Sequence, residues 1–322
     1  MWAYKFRMYL LMATLFGIIY AVVSVAGYAL GIVNFYFYLF LALAIASVQY
    51  MIGPKIVEWS MHVRYLKEGE NPRIQSMVRD LAAKAGLSMP RVGVSQVAIP
   101  NAFAFGRSRK DARICVTEGI MGLLNDDEMR AVLGHEMSHI KNRDVLTITV
   151  LSVVPIILYR IAFQFLFFGG RRGRNSSNGF VIGLVAFLFY FLTNLLVLYA
   201  SRIREYFADK GSIDLGNHAS NLASALYKLV YGSARMPKEA IKEAEGMKAF
   251  FVNDPSKALS DLKDLRDLDL DKNGIISDEE LNSFSGRTVK LKFSDVFMEL
   301  LSTHPNMLKR VKRLSELGAG AS

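Results

Sequence analysis

Residues 8–30 and 35–52 contain no charged side chain, and runs of that length narrow the folds open to this chain more than any other feature. A helix crossing a bilayer needs roughly 20 apolar residues, and only a helix or a closed barrel satisfies its own backbone there. The two runs therefore predict a transmembrane hairpin over residues 1–54. A cleaved signal peptide is the rival for the first run, but the run is long for such a segment and no small-residue cleavage site precedes the second. Residues 145–168 and 180–200 predict a second hairpin, occupying 145–200, with Pro155 and Arg160 interrupting its first arm. With 52% hydrophobic residues and a mean hydropathy of +0.24, the chain is no ordinary soluble globule.

Charge sets the orientation. Lys5 and Arg7 precede the first run, residues 31–34 carry no charge, and Lys55, Arg64 and Lys67 follow the second run. The positive-inside rule then puts both ends of the first hairpin in the cytoplasm of a multi-pass cell-membrane protein. Arg171, Arg172 and Arg174 oppose that rule, because they fall in the loop expected outside. Either the second hairpin spans against the bias or it penetrates part way, and the unbroken fourth run favours spanning. A formal charge of +10 suits an anionic membrane surface, so it does not call for nucleic acid. The single cysteine, Cys115, excludes a disulfide framework and a Cys-rich zinc site, and reads as a buried strand residue.

Residues 55–144 change to a soluble pattern. Asn71-Pro72 is a helix start, Ile74, Met77, Val78, Leu81 and Ala82 follow at helical spacing, and Gly86 is a stop. The stretches 91–95, 102–105 and 113–117 read as short strands of a small antiparallel sheet. Asn125 with Glu128 forms a capping-box pattern that opens a further helix.

That helix holds His135-Glu136-Met137-Ser138-His139. Two histidines four apart lie within about 40° of one another around a helix and about 6 Å apart along it, so both imidazoles reach one ion. Neutral imidazoles suit zinc, and Glu136 on the adjoining face can take a proton from water at the ion. Lacking a cysteine cluster or a nearby third histidine, the site needs a carboxylate as third ligand. Glu205 and Asp209 offer one, again four apart on a predicted helix. One of them can bind the ion while the other receives the second N–H of a ligand histidine. The bland alternative is a charged juxtamembrane helix. His62 and His218 read as non-catalytic.

These words, in this order and spacing, resemble the HtpX family of integral-membrane zinc metalloproteases, relatives of the CAAX prenyl endopeptidases. The resemblance rests on an initial hairpin, "PNAFAFG" at 100–106, HExxH at 135–139, two more apolar runs, "REYFAD" at 204–209, and "HPNMLKR" at 304–310. It implies His135, His139 and Glu205 as ligands of one zinc ion, Glu136 as general base, and Asp209 in support of a ligand histidine.

Other motifs carry their own expectations. Asn101, Ala102 and Phe103 belong to an edge strand whose backbone can pair with an extended substrate; the alternative is an ordinary strand with Phe103 and Phe105 packed in a core. His304 is placed to donate to a developing oxyanion, and Arg310 is a further oxyanion candidate, although His-Pro more often marks a helix start. Residues 269–280 match a 12-residue calcium loop, with Asp269, Asp271, Asn273, Ile275, Ser277 and Glu280 in the ligand places and Gly274 at the turn, inside an EF-hand-like insertion at about 254–285. Its rival is an acidic turn capping a helix at Ser277.

Together these readings predict a mostly α membrane protein with four candidate transmembrane helices. Its gluzincin-like α+β catalytic domain is built from residues 55–144 and 201–322. The predicted activity is that of a zinc-dependent endopeptidase at the cytoplasmic face, beside the lipid bilayer. The resemblance, with the site's position beside the bilayer, implies that it acts on unfolded or damaged membrane-protein chains in quality control. Zn²⁺ is the expected cofactor, with Ca²⁺ at residues 269–280 if the calcium-loop reading holds, and no nucleic acid is expected. Maturation of lipidated peptides and a catalytically silent zinc-stabilised scaffold are the other readings.

Overall fold

The computed structural model describes residues 35–168, 176–237, 239, 252, 257–287 and 293–319. In chain order these form α1 (Phe35–Ser60), β1 (Val63–Tyr65), α2 (Pro72–Ala85), β2 (Arg91–Ser95), β3 (Ala102–Gly106), β4 (Ala112–Thr117), α3 (Glu118–Met121), α4 (Asp126–Asn142), α5 (Asp144–Phe168), α6 (Ser176–Asp214), α7 (Ala219–Ala234), α8 (Ala258–Leu265), α9 (Asp278–Ser285), α10 (Phe293–Leu300) and α11 (Met307–Ala319). The chain divides into two compact units, Met1–Ile52 with Leu146–Ile203, and Gly53–Val145 with Arg204–Ser322.

The first unit is apolar and helical. α5 and α6 pack through Leu151, Val154, Leu158 and Ala200. At Gly183 a Cβ would sit 2.9 Å from Leu166 Cγ, so a small residue is what lets these helices approach. The rest of α6 turns Phe180, Val181, Leu184, Leu188 and Phe191 outward. Among the described residues one helix, Gly179–Asp214, is long and apolar enough to cross a membrane. The other three expected spans are not confirmed among the described residues. Residues 8–30 and the arginine-bearing loop at 171–174 lie outside the described residues.

The second unit is a four-stranded sheet covered by helices. Local signals behave as read: Asn71 caps α2 and Gly86, at φ 68°, ends it, while Asn125 and Glu128 form a reciprocal capping box on α4. The sheet departs from expectation. Its order is β1-β2-β4-β3, with β2 parallel to β4 and the other two pairs antiparallel. It is mixed because the connection from β2 to β3 crosses the end of β4, where Thr117 Oγ1 donates to Ile99 O at 2.8 Å and accepts from Asn101 N at 2.8 Å. Gly119 makes room for it, since a Cβ there would meet Ala98 O at 2.0 Å. β3 therefore lands beyond β4 as an edge strand. Phe103 and Phe105 fill a small core with Cys115, Met61 and Ile99, so the strand is both an edge and a packed core strand. α4 lies against β3 and β4 with α2 and α7 around it, and α7 in turn packs α8 and α11.

Candidate metal centre

α4 presents His135 and His139 one turn apart, with their Nε2 atoms 3.2 Å from each other. The C-terminal part of α6 brings Glu205 to them: Oε2 is 3.6 Å from His135 Nε2 and Oε1 is 3.6 Å from His139 Nε2. Two glycines allow so close a crossing. A Cβ at Gly211 would fall 2.0 Å from Ser138 Oγ, and one at Gly134 would fall 2.4 Å from Asn217 Nδ2. Ser212 fastens the crossing by donating to Ala131 O at 2.6 Å.

Each ligand-type imidazole is backed by a carboxylate. His135 Nδ1 lies 2.9 Å from Asp209 Oδ1, and His139 Nδ1 lies 2.5 Å from Asp144 Oδ2. Proton density on Nδ1 leaves Nε2 as a bare donor, so both lone pairs turn toward the same point. The supporting acids are themselves held. Arg310 grips Asp209 through Nε at 3.0 Å and Nη2 at 2.6 Å, and Arg204 Nε is 3.3 Å from Asp144.

Donors at about 2.0–2.2 Å around a tetrahedral zinc are separated by roughly 3.3–3.6 Å. The triangle of 3.2 to 3.6 Å formed by His135, His139 and Glu205 has that size. Glu205 Oε2 is buried, 3.4 Å from Arg310 Nη1 and 3.4 Å from His304 Nδ1, which keeps the carboxylate ionised as a ligand should be. Burial pushes the His135 imidazole down, but Asp209 and Glu205 outweigh it and hold it up at about 9, which reflects an anionic pocket. The residues fit zinc. Glu136 is buried at 4% exposure, and its donor atoms share a cluster with those of both histidines within 4.8 Å. Burial raises its carboxyl above the usual range, and the Ala104 amide on β3 is among the groups that offset this.

The remaining expected residues are placed as follows. His304 is buried, with its Nδ1 paired to Glu205 Oε2 at 3.4 Å. The Arg310 guanidinium, named as an oxyanion candidate, is fully buried, bonded twice to Asp209 and once to Val252 O at 2.9 Å, with Nη1 3.4 Å from Glu205 Oε2, so it stands behind a histidine-supporting acid. Asn101 is buried too, its Oδ1 accepting Val252 N at 2.9 Å, while Ala102 and Phe103 lie on the β3 edge. In the acidic loop, Asp269 accepts the Asn273 and Gly274 amides at 3.0 Å each, and Glu280 accepts Leu270 N at 2.7 Å and Ser277 N at 2.9 Å. Asn273 Oδ1 accepts Ile275 N at 2.7 Å. Ser277 and Glu280 form a capping box on α9, as the rival reading has it, and Asp269, Asp271 and Glu280 still gather their oxygens within 4.8 Å. Asp144, Arg204, Gly134 and Gly211 were not singled out from the sequence. The first carried one signal, an acid a few residues past His139, useful only once Arg143 at φ 57° turns the chain back.

An HExxH helix crossed by a glutamate-bearing helix, with acids behind both histidines, is the centre of a metallopeptidase. Residues 68–318 match peptidase family M48, and the chain belongs to that family. A protease HtpX homolog of Methanothermobacter thermautotrophicus is 47% identical over 229 residues, covering 71% of this chain and 86% of the relative. Protease HtpX homolog 2 of Methanosarcina acetivorans is 33% identical over 277 residues, covering 85% and 82%. Among solved structures, S. mikatae Ste24p shares the fold with a TM-score of 0.53 at 17% identity, covering 97% of this chain and 66% of that one.

Proposed function

We propose that this M48 peptidase is a membrane-embedded, zinc-dependent endopeptidase that cleaves peptide bonds of unfolded or damaged membrane proteins at the cytoplasmic face. The observation that carries the zinc and the chemistry is the meeting of His135 Nε2, His139 Nε2 and the Glu205 carboxylate in one buried triangle. The outward apolar face of α6 supports the membrane setting, and the basic flanks of the first two apolar runs support the orientation.

Zn²⁺, when bound by His135, His139 and Glu205, supplies a Lewis acid that acidifies water and polarises a carbonyl. The chain's own residues do the rest. Asp209 and Asp144 hold the two imidazoles in one orientation, and Arg310 and Arg204 hold those acids. Glu136, its carboxyl raised by burial, takes a proton from the attacking water and returns it to the leaving amine. His304, beside Glu205, donates to the oxygen that gains charge. The β3 edge at Ala102 and Phe103 aligns an extended substrate by backbone pairing, which demands little of its side chains.

Casein and an unfolded membrane protein should be cut by the purified, zinc-loaded chain and left whole by Glu136→Gln at equal zinc content. Equal cleavage by both would remove the peptidase reading. Ca²⁺ at Asp269, Asp271, Asn273, Ile275, Ser277 and Glu280 belongs to the same proposal, because ionised carboxylates that accept amides keep further lone pairs for a cation. Titration calorimetry on metal-stripped wild type and Glu280→Gln should give different Ca²⁺ heats. Identical heats would leave only the capped turn.

A further inference from the structure

α10 is folded with its apolar side outward. At about 100° per residue, Val296, Phe297, Met298 and Leu300 cover about 200° of the helix, and Asp295 and Glu299 lie about 40° apart on the remainder. Val296 is 41% exposed, Phe297 54%, Met298 50% and Leu300 46%, with Leu301 next in the chain at 47%. Asp295 and Glu299 are half-buried. Glu299 is bound to the protein, accepting Asn306 N at 3.3 Å and pairing with Lys309. A helix on a water-facing surface turns the other way, with its apolar stripe to the core and its charges to solvent. These contacts therefore hold α10 in an orientation that water disfavours and an apolar phase would not.

The charge around the helix says which apolar phase. Lys257 Nζ donates to Met298 O at 3.1 Å, and Arg287 is exposed in the chain that leads to α10. The sequence adds Lys290 and Lys292 just before the helix, in a chain of net charge +10. Docking of another apolar protein surface needs no such cations at its border, whereas a bilayer presents acyl chains beneath anionic headgroups. The same chain holds a helix, Gly179–Asp214, long and apolar enough to cross a membrane.

We infer that α10 is an interfacial helix lying on the anionic surface of the bilayer, with Val296, Phe297, Met298, Leu300 and Leu301 among the lipid chains and Lys257 at the headgroups. The inference rests on the membrane setting of the proposed function and adds a second point of attachment to it. Because Glu299 ties α10 to Asn306 and Lys309, and Ser302 Oγ accepts His304 N at 3.3 Å, the turn that carries His304 is seated with the helix.

The test uses full-length chains bearing a nitroxide at Phe297→Cys, Leu301→Cys, Glu279→Cys or Leu188→Cys, each in nanodiscs containing anionic lipid. Cys115 stays in place, because it is fully buried and burial pushes its thiol up to about 12, which keeps it from being labelled. Accessibility to oxygen, which concentrates in lipid, is compared with accessibility to a polar nickel complex, which hydrocarbon excludes. The oxygen-to-nickel ratio at 297 and 301 should exceed that at Glu279→Cys, exposed on α9, by about fivefold or more, and should fall when the nanodiscs are wholly zwitterionic. A ratio like that at Glu279→Cys means that water covers α10, and low access to both reagents means that a second copy or other protein does; either overturns the inference. A ratio unmoved by lipid charge overturns the anionic surface. Leu188→Cys, at an outward position on α6 that is 55% exposed, reads the membrane setting itself. A lipid-like ratio there with a water-like one at 297 and 301 sinks the seat of α10 alone, and a water-like ratio at Leu188→Cys sinks the setting on which it rests.

Discussion

Replacing Arg310 by methionine keeps an unbranched chain of similar length and deletes the charge that faces Asp209. Arg310 is fully buried and Asp209 is 1% exposed, so water cannot replace the lost partner. Two charge-assisted bonds at 3.0 and 2.6 Å disappear, with a third to Val252 O at 2.9 Å. Bonds of this kind contribute about 1.5–3 kcal/mol each, and leaving one member of a buried pair behind costs about 3–5 kcal/mol in all. His135 Nδ1, 2.9 Å from Asp209 Oδ1, retains part of the compensation, which puts the expected loss at the lower end, about 3 kcal/mol. For a folded unit of this size that is a fall of about 6–12 °C in Tm. Thermal unfolding of detergent-purified wild type, Arg310→Met, Arg310→Lys and Asp209→Asn measures it. Lysine keeps the charge but not the two-point grip, so Arg310→Lys should lie between. The double variant Arg310→Met with Asp209→Asn should lose clearly less than the sum of the two singles. A Tm for Arg310→Met within about 2 °C of wild type, or strict additivity in the double variant, would refute the claim that this pair holds the second half of the site.

The metal centre gives further expectations. Glu205→Ala should retain at least about tenfold less zinc after dialysis, since two protein ligands hold the ion poorly, whereas Glu136→Gln should keep its metal and lose turnover; equal zinc in wild type and Glu205→Ala would remove Glu205 from the ligand set. Asp144→Asn frees His139 Nδ1 from the carboxylate at 2.5 Å and should weaken zinc affinity about 10- to 100-fold, as read by competition with a chromophoric chelator. Unchanged affinity would reduce Asp144 to a partner of Arg204. Gly211→Ala places a methyl 2.0 Å from Ser138 Oγ and 2.6 Å from Ser138 Cβ. It should destabilise by about 1–3 kcal/mol despite the better helix propensity, with Ser138→Gly in the same chain restoring much of the loss.

What was legible in the sequence was what is local along the chain. The ends of α2 follow from Asn71-Pro72 and Gly86, the start of α4 from Asn125 and Glu128, and the pairing of His135 with His139 from helical geometry, because each depends on residues within one or two turns. The parts that escaped depend on partners far away. Gly93 tolerates no side chain, since a Cβ would lie 2.8 Å from Cys115 Sγ and 2.9 Å from Val63 Cγ1. That crowding belongs to the parallel β2–β4 register, in which Gly93 faces Cys115, and to β1 on the other side. Nothing in the pattern of 91–95 distinguishes a parallel from an antiparallel neighbour. Arg310 shows the same limit: it reads as an oxyanion candidate until Asp209, on a helix in another part of the sequence, meets it in the interior.

The placement of Glu136 also constrains how the proposed substrate strand can dock. The Ala104 amide is among the groups that offset the raised Glu136 carboxyl, so β3 runs beside that carboxylate. In an antiparallel pair, residues of one parity face the neighbour and those of the other parity face outward. Asn101 is on the inward set, its carbonyl accepting Thr117 N at 2.9 Å, so Ala102 and Ala104 share the outward set. Ala102 is fully buried and Phe103 only 3% exposed, so a peptide would pair at Ala102 only after what covers this edge moves aside, and it would then meet Glu136 near Ala104. On the proposed reading, strand pairing that ended at Ala102 would bring the next peptide bond toward Glu136.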